Sequence, residues 1–268
     1  MELSETMPTL SIGIITRNRK NMLRRCLASI YNEIKGISME VIVIDNYSLD
    51  GTPAMINKEF NNVILVANKS NMGVARSRNQ IIDRYLGKYL LILDDDTKIL
   101  SSNFEDLISY MEKHANVGVL GCRILNPDHH VYPSARTLPR PRDIFLNRLS
   151  FLPFVKFSVL PNGYQNALNE DQTPRTVGFV MGAFQLINRT AQERVGMLDG
   201  IMTYGFEDAD FCARMRKCGF ITIFYPGFDI IHYKGIVSER TFSKYMLYFI
   251  KSYIWFYLKH RSLIRKSV

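Results

Sequence analysis

The chain has 268 residues, 47% of them hydrophobic, and a formal net charge of +9. This length and hydrophobic fraction allow one large buried core, and they exclude a disordered or low-complexity chain. The charge favours an anionic partner, which could be a nucleotide, a nucleic acid or an acidic membrane surface, and charge alone does not choose among them.

The cysteines and the N-terminal residues bear on the cellular compartment of the protein. The four cysteines are scattered, without the close pairs of a zinc site, and they are too few for a disulfide framework: Cys26, Cys122, Cys212 and Cys218. The first residues lack the basic start and apolar stretch of a signal peptide. Both observations predict a cytoplasmic protein.

The first part of the chain alternates between short apolar runs and segments with helical spacing. The runs predict strands over 10–16, 40–45, 63–67 and 88–93. Helices are predicted after the first run, near Pro53, and from about residue 71 to Gly87. Strands that alternate with helices predict parallel β-α-β units, and continuous apolar strands predict a sheet covered on both faces.

The pattern breaks up between Asn126 and Arg175, a segment with seven prolines. We interpret this segment as a long, partly irregular excursion over a binding site. The pattern returns with an apolar stretch over 177–188, helices over 190–195 and 207–218, and a strand over 221–225.

Asp94, Asp95 and Asp96 stand in a row directly after the apolar run 88–93. Carboxylates this close repel one another, whereas a divalent cation removes that penalty and attracts phosphate oxygens. An acidic turn that caps the next helix is the alternative. Ligands of parallel sheets lie beyond the carboxyl ends of the strands, so Asp45, at the end of another run, is expected in the same crevice.

A second group of polar residues lies later in the chain: Glu207, Asp208, Asp210 and His232. With the triplet, this group would supply mixed oxygen and imidazole ligands for a hard cation and a separate carboxylate base. Two of these residues also have a purely structural alternative. Asp208 could be a first-turn carboxylate attracted to a helix dipole, and His232 could be a core histidine with satisfied hydrogen bonds.

These motifs resemble family-2 glycosyltransferases of the GT-A fold, and most closely the rhamnosyltransferase-like members. The resemblance covers roughly residues 8–236, and these segments carry it in family order: 10–16, Val43–Thr52, Asn71–Asn79, Leu93–Thr97, Met181–Phe184, Val195–Asp199, Tyr204–Asp210, Gly219–Ile221 and Ile231–His232. It implies an α/β fold with a Rossmann-like mixed sheet and helices on both faces.

The resemblance also implies a division of the chain. Residues 1–236 would form the catalytic domain, with a nucleotide-binding half over about 8–100 and an acceptor half over about 101–236. Residues 237–268 would form a C-terminal helical appendage.

By the same resemblance, single residues receive roles. Asp45 would accept from N3–H of a pyrimidine base, and Asp94 or Asp95 would lie beside the ribose or the donor sugar. Asp96 and His232 would bind Mn²⁺ or Mg²⁺. Further implied members of the nucleotide site are Thr16, Arg17, Asn71, Gly73 and Arg78.

On the acceptor side, Asp208 would be the catalytic base, with Glu207 and Asp210 in support. Gly182 and Ala183 would leave room for a sugar, although close strand packing explains them equally. Purely structural roles also remain open for two residues of the nucleotide site. Asp45 could cap a strand-to-turn segment, and Arg78 could belong to a solvated helix face.

The expected activity is inverting, metal-dependent transfer of rhamnose or another hexose from a dTDP- or UDP-sugar to a glycan or lipid-linked glycan in surface polysaccharide synthesis. One rival is a basic nucleic-acid-binding protein, which is disfavoured because no binding motif is recognisable and the aspartates would repel phosphate. The other is a sugar nucleotidyltransferase, whose glycine-rich phosphate loop the segment 16–19 does not supply. No nucleic-acid partner is expected.

The segment 241–268 is aromatic and basic. Its lysines recur every seven or eight residues, which argues against a helix that spans a membrane. Peripheral contact with the inner face of the cell membrane, packing on the catalytic domain and contact within a homodimer are the three interpretations that the sequence leaves open.

Overall fold

The structure is a computed structural model, and it describes residues 7–141, 173–202, 205–233 and 244–266. Tyr204 and residues 142–172, most of the predicted excursion, lie outside the described residues.

One mixed sheet forms the centre of the molecule. In the part of the chain that the structure describes, its strands are β1 (Leu10–Thr16), β2 (Met39–Asp45), β3 (Val63–Ala67), β4 (Tyr89–Asp94), β5 (Thr97–Ile99), β6 (Val117–Leu125), β7 (Val131–Tyr132), β9 (Arg175–Val177), β11 (Phe184–Asn188) and β12 (Ile221–His232). Two further strands, β8 (Ala135–Arg136) and β10 (Phe179–Val180), form a small antiparallel pair.

The strand order determines which residues meet at the carboxyl edge. The main path is β3-β2-β1-β4-β11-β6-β12-β5. β1 to β4 are parallel, which confirms the predicted β-α-β units, and β11 is antiparallel to both β4 and β6. Since β12 is parallel to β6, the carboxyl ends of β1, β2, β4 and β12 all lie at one edge.

Helices cover both faces of the sheet, as predicted. The described helices are α1 (Lys20–Glu33), α2 (Thr52–Glu59), α3 (Val74–Ile82), α4 (Phe104–Lys113), α5 (Arg189–Val195), α6 (Glu207–Lys217) and α7 (Lys244–Lys266). One core lies under α1, α2 and α4, and the other under α3, α5 and α6. α7 packs against α6 and adds Phe256 and Ile264 to the second core.

The apolar strands are continuous because each one serves both cores. Val41 and Val43 of β2 belong to the first core, and Ile42 and Ile44 belong to the second. Successive side chains of a strand point to opposite faces, so a sheet with two covered faces has no polar side.

The strand predicted over 221–225 is longer than expected. β12 continues to His232 through a register irregularity between Tyr225 and Asp229. The apolar stretch over 177–188 is divided among β9, β10 and β11 instead of forming one element. No helix within the described ranges has a stretch both long and apolar enough to cross a membrane.

Candidate active site

The end of β4 and the end of β12 meet at the carboxyl edge of the sheet. Asp94 is the last residue of β4, and β5 begins directly after the triplet. β5 pairs antiparallel with β12, so that Thr97 lies opposite His232. This pairing brings His232 Nε2 to 2.9 Å from Asp96 Oδ1 and 3.9 Å from Asp94 Oδ2.

This cluster has the composition of a divalent metal site. Asp94, Asp96 and His232 each offer one ligand atom, and these atoms lie within 4.8 Å of one another. Two carboxylate oxygens and one imidazole nitrogen suit Mn²⁺ or a similar cation. Asp96 and His232 are buried, whereas the Asp94 side chain is 30% exposed, so the cluster is accessible from the Asp94 side.

The pKa values of Asp95 and Asp96 are shifted in opposite directions. Asp95 Oδ2 accepts a hydrogen bond from Thr16 Oγ1 at 2.7 Å, which ties it to β1. Burial raises the pKa of Asp95 to about 7, against the opposing effects of Thr16 and Arg19. Burial also acts on Asp96, but the hydrogen bond and charge of His232, together with Arg19, hold the pKa of Asp96 below its ordinary value.

Arg19 is a site residue that the sequence prediction missed. Its Nη1 lies 3.4 Å from Asp95 Oδ1 and also contacts Asp96 Oδ2. Arg17, the predicted residue, and Arg19 are both exposed, and Arg19 is the one that contacts the triplet. The sequence does show two arginines, at 17 and 19, after β1. The chain turns between them at Asn18, which has φ +53°, and the sequence does not reveal which arginine this turn directs toward the triplet. A cleft of about 490 Å³ opens beside Arg19 and Asp96.

Arg78 joins the triplet to the loop before β11. Its Nη2 donates to Asp94 Oδ1 at 2.9 Å and to the Gly182 carbonyl at 3.0 Å. A Cβ at position 182 would overlap the Arg78 guanidinium, with Nη2 at 2.9 Å, so glycine here allows a close approach of protein groups. The neighbouring Ala183 carbonyl accepts from the Asp94 N–H at 3.3 Å. Arg78 is therefore buried in the site and is not part of a solvated helix face.

Asp208 lies in the first turn of α6, next to the same loop. Its Oδ2 accepts from the Gly182 N–H at 3.3 Å, and its Oδ1 accepts from the Ala209 N–H at 2.7 Å. Burial raises the pKa of Asp208. Burial and the charge of Asp208 likewise raise the pKa of Glu207, whose Oε1 lies 3.8 Å from Arg78 Nη1. A half-buried carboxylate with a raised pKa is a suitable proton acceptor.

Asp210 faces away from this cluster. Its Oδ1 lies 2.7 Å from His260 Nε2 and 2.8 Å from Lys259 Nζ, and its Oδ2 lies 2.8 Å from Arg214 Nε. An α-helix turns by about 100° per residue, so the side chains at positions 208 and 210 point about 160° apart. The structure therefore places Asp210 in the contact between α6 and α7.

Asp45 lies at the same edge of the sheet. Its Oδ2 accepts from the Ser48 N–H at 2.9 Å, which is the strand-to-turn cap considered from the sequence. Its Oδ1 is buried, with no hydrogen-bond partner among the described residues. β1 lies between β2 and β4, and Thr16 of β1 pairs with Asp45. The end of β2 at Asp45 is therefore two strand spacings, or about 10 Å, from the end of β4 at Asp94.

Asn71 and Gly73 shape the turn that precedes α3. Asn71 Oδ1 accepts from Asn46 Nδ2 at 2.7 Å and from the Gly73 N–H at 3.0 Å. Gly73 has φ +79° and ψ 167°, a conformation that glycine adopts readily and other residues do not. Both residues thus hold the start of α3 beside the strand that ends in Asp45.

Comparison with known proteins identifies the family. Residues 11–196 match the model of the family described as Glycosyl transferase family 2, which is more than half of the chain. The chain belongs to glycosyl transferase family 2. This family-2 glycosyltransferase is 25% identical over 244 residues to N-acetylglucosaminyl-diphospho-decaprenol L-rhamnosyltransferase of Mycobacterium tuberculosis, a match that covers 86% of this chain and 78% of the relative. The predicted family and its rhamnosyltransferase-like character are confirmed.

Solved structures agree on the fold. The glycosyltransferase superposes on GalNAc-T7, solved with UDP, GalNAc and Mn²⁺, with a TM-score of 0.65 and 17% identity over 89% of this chain and 45% of that chain. The mannosyltransferase PcManGT of Pyrobaculum calidifontis, in complex with GDP-Man and Mn²⁺, gives a TM-score of 0.63 and 17% identity over 95% of this chain and 64% of that chain. These likenesses confirm the GT-A fold, and this chain spans less than two thirds of either neighbour.

Proposed function

We propose that this glycosyltransferase is an inverting, metal-dependent enzyme. It moves rhamnose or another hexose from a dTDP- or UDP-sugar to a glycan or lipid-linked glycan acceptor in surface polysaccharide synthesis. The observation that carries the proposal is the convergence of Asp94, Asp96 and His232 within 4.8 Å, at the edge of the sheet that Arg78 and Gly182 connect to Asp208.

The donor nucleotide would lie along the carboxyl edge of the sheet. The free Oδ1 of Asp45 can accept a hydrogen bond from N3–H of uracil or thymine. Its separation of about 10 Å from Asp94 leaves room for the ribose between the base and the diphosphate. The rhamnosyltransferase relative supports a deoxyhexose donor.

Asp94, Asp96 and His232 would hold the divalent cation, Mn²⁺ or Mg²⁺. The bound cation would neutralise the negative charge that gathers on the departing diphosphate. Arg19 and Arg78 flank the triplet and add positive charge beside the same position. GalNAc-T7 and PcManGT, both solved with Mn²⁺, favour manganese.

Asp208 would act as the base in a single displacement. It takes the proton of the acceptor hydroxyl while that oxygen bonds to the anomeric carbon. The bond from the anomeric carbon to the diphosphate oxygen breaks, and the diphosphate leaves with the electron pair. Attack from the face opposite the leaving group inverts the anomeric centre, and no covalent nucleophile is needed.

The acceptor is the least constrained component. The name of the mycobacterial relative describes a diphosphate-linked lipid that carries N-acetylglucosamine, and this supports a lipid-linked glycan. Family membership favours the transferase over both a nucleic-acid-binding protein and a nucleotidyltransferase.

Two variants test the division of roles. Asp208→Asn should lower the transfer rate from dTDP-rhamnose or a UDP-hexose by about 10²- to 10⁴-fold and leave nucleotide binding nearly intact, because the base is lost and the metal ligands remain. Asp96→Ala should weaken metal-dependent nucleotide binding itself. Transfer is measured with a lipid-linked N-acetylglucosamine acceptor, and NMR of the product gives its anomeric configuration. Equal loss of nucleotide binding in both variants, or retention of configuration, contradicts the proposal.

A further inference from the structure

α7 has one buried face, which packs against α6. Its buried side chains recur every four residues and therefore form one stripe: Ser252, Phe256, His260 and Ile264. Phe206, just before α6, packs its ring against Phe249, Tyr253 and Phe256, with centroids 5.0–5.8 Å apart. These contacts hold α7 on the catalytic domain.

The opposite face of α7 is exposed and mostly apolar. Six large side chains there are between 41% and 70% exposed: Leu247, Tyr248, Ile250, Ile254, Trp255 and Leu258. We call this set the outer face of α7. A helix on the surface of a globular protein normally turns polar residues to solvent, whereas this helix buries Ser252 and His260 and exposes leucine and isoleucine.

The exposed patch continues onto the catalytic domain beside Trp255. Trp255 Nε1 donates to Asp199 Oδ2 at 3.1 Å, and the Ile201 N–H donates to Asp199 Oδ1 at 3.0 Å. Met197 and Ile201, on either side of Asp199, are 42% and 45% exposed. The patch is therefore wider than one helix.

The charged residues of the segment that contains α7 have one sign. Residues 241–268 contain six lysines and arginines and no aspartate or glutamate. Lys259 is drawn inward, 2.7 Å from Asp199 and 2.8 Å from Asp210, whereas Lys251 and Arg261 are exposed on the same side as the outer face. Exposed apolar side chains beside exposed cations match a lipid surface, which has an apolar interior and anionic headgroups.

We propose that the outer face of α7, with Met197 and Ile201, docks on a lipid bilayer that carries anionic lipids. The apolar side chains enter the boundary between headgroups and acyl chains, and Lys251 and Arg261 contact lipid phosphates. A second copy of the chain is a poorer match, because a two-fold axis would bring the two sets of cations together. The inference does not depend on the donor, the metal or the catalytic residues.

Co-sedimentation with vesicles tests this docking with the full chain. One set of vesicles is phosphatidylcholine alone, and the other contains equal parts of phosphatidylcholine and phosphatidylglycerol. The protein should sediment with the mixed vesicles far more than with the neutral ones, and added salt should weaken binding. The double variant Ile254→Ser, Leu258→Ser should bind the mixed vesicles at least about tenfold more weakly, because two large apolar side chains are lost.

Matched variants separate the contributions. Ile64→Ser, Leu86→Ser changes two comparably exposed apolar residues elsewhere on the surface and should leave vesicle binding unchanged. Lys251→Gln, Arg261→Gln should reduce the preference for phosphatidylglycerol. Thermal unfolding of each variant verifies folding, and calorimetric titration with UDP and dTDP verifies the nucleotide site independently.

Several results would overturn the docking. The first is that the wild type does not sediment with the mixed vesicles. The second is that the wild type and the Ile254→Ser, Leu258→Ser variant bind these vesicles equally. A third is a dimer, seen by light scattering without vesicles, that those two substitutions dissociate while vesicle binding is absent. The third result would assign the outer face to contact between two copies. Nucleotide binding would be unaffected in all three cases, so failure of the docking and failure of the proposed transfer reaction are distinguishable.

Discussion

The protonation of Asp208 depends on its immediate neighbours. Burial raises its pKa, and the Ala209 N–H, Arg78, the Gly182 N–H and Arg136 act in the opposite direction. A general base works only when it is deprotonated, so activity falls as the pH drops through this pKa. Because the pKa is raised, the fall should occur at a higher pH than for an ordinary aspartate.

Arg136 offers a test of this assignment. Its Nε donates at 3.1 Å to the carbonyl of Pro133, which lies between β7 and β8. Arg136→Gln removes a charge that lowers the pKa of Asp208, and the acid limb of the profile of kcat/KM against pH should move to higher pH. Arg136→Lys keeps the charge and serves as the control. An acid limb that does not move in the glutamine variant would argue against Asp208 as the base.

Gly182 should tolerate no side chain. In Gly182→Ala, the new Cβ displaces the Arg78 guanidinium from Asp94 and from the carbonyl of residue 182, which should lower the free energy of unfolding by about 1–3 kcal/mol. Metal-dependent nucleotide binding should weaken as well. Gly200→Ala is the matched control, since its Cβ would meet its nearest neighbour, Arg76 Cγ, at 3.9 Å. Urea unfolding and calorimetry measure both effects, and wild-type behaviour of Gly182→Ala would contradict this account of Arg78.

Single residues differ in how far the sequence reveals them. The triplet and Asp45 could be predicted to lie at one edge, because the carboxyl ends of parallel strands share an edge. His232 could be added to them only through the family resemblance, since its strand was not predicted to reach it. Arg19 could not, because a loop residue with a long side chain has no periodic position. Asp210 could have been assigned to the opposite side of α6 from helical geometry alone, but nothing in the sequence shows that His260 of a distant helix covers it.

At the scale of elements, α6 and α7 are joined by a buried network of charges. The side chains of Asp210 and His260 are fully buried, and Asp210 also contacts Lys259 and Arg214. Burial opposes the charge of Asp210, but His260, Arg214 and Lys259 more than offset it and hold its pKa below the ordinary value. The resulting stability is complete above the pKa of the unfolded chain and is lost as the pH falls through the lower folded value.

Asp210→Asn should therefore weaken the contact between α7 and α6. Removal of one partner from a buried ion pair costs about 3 kcal/mol, which corresponds to a decrease in Tm of about 6–10 °C for a chain of this size. The variant should also lose less stability than the wild type as the pH falls below about 4. Scanning calorimetry across pH makes the measurement, with exposed Asp83→Asn as control. Equal Tm values for Asp210→Asn and Asp83→Asn would rule out a stabilising network.

Elements that follow local periodicity could be predicted, and those set by distant pairing could not. β1 to β4 and their helices appear in the sequence as alternating apolar runs and helical spacing. The insertion of β11, antiparallel, between β4 and β6 depends on contacts between remote segments, which a window of sequence does not contain. The extension of β12 to His232 was hidden because Pro226 and Gly227 interrupt the apolar pattern.

At the scale of the whole molecule, the net charge of +9 conceals an uneven distribution. Carboxylates gather at the carboxyl edge of the sheet, and cations without acidic neighbours in sequence gather along 241–268. A nucleotide diphosphate would be repelled by the triplet unless a cation binds there, since two sets of negative charge would otherwise meet. The affinity for nucleotide should therefore depend on a divalent metal, although the protein as a whole is basic.

The most direct test of this account is calorimetric titration of the purified protein with UDP and with dTDP, each with Mn²⁺ and with EDTA, and the same titrations of Asp96→Ala. We expect the wild type to bind at least one of the two nucleotides with Mn²⁺ and to lose most of that affinity in EDTA, and we expect Asp96→Ala to bind weakly under both conditions. Binding that is equally strong in EDTA, or no binding of either nucleotide by the wild type with Mn²⁺ present, would contradict the assignment of Asp94, Asp96 and His232 as the metal and nucleotide site.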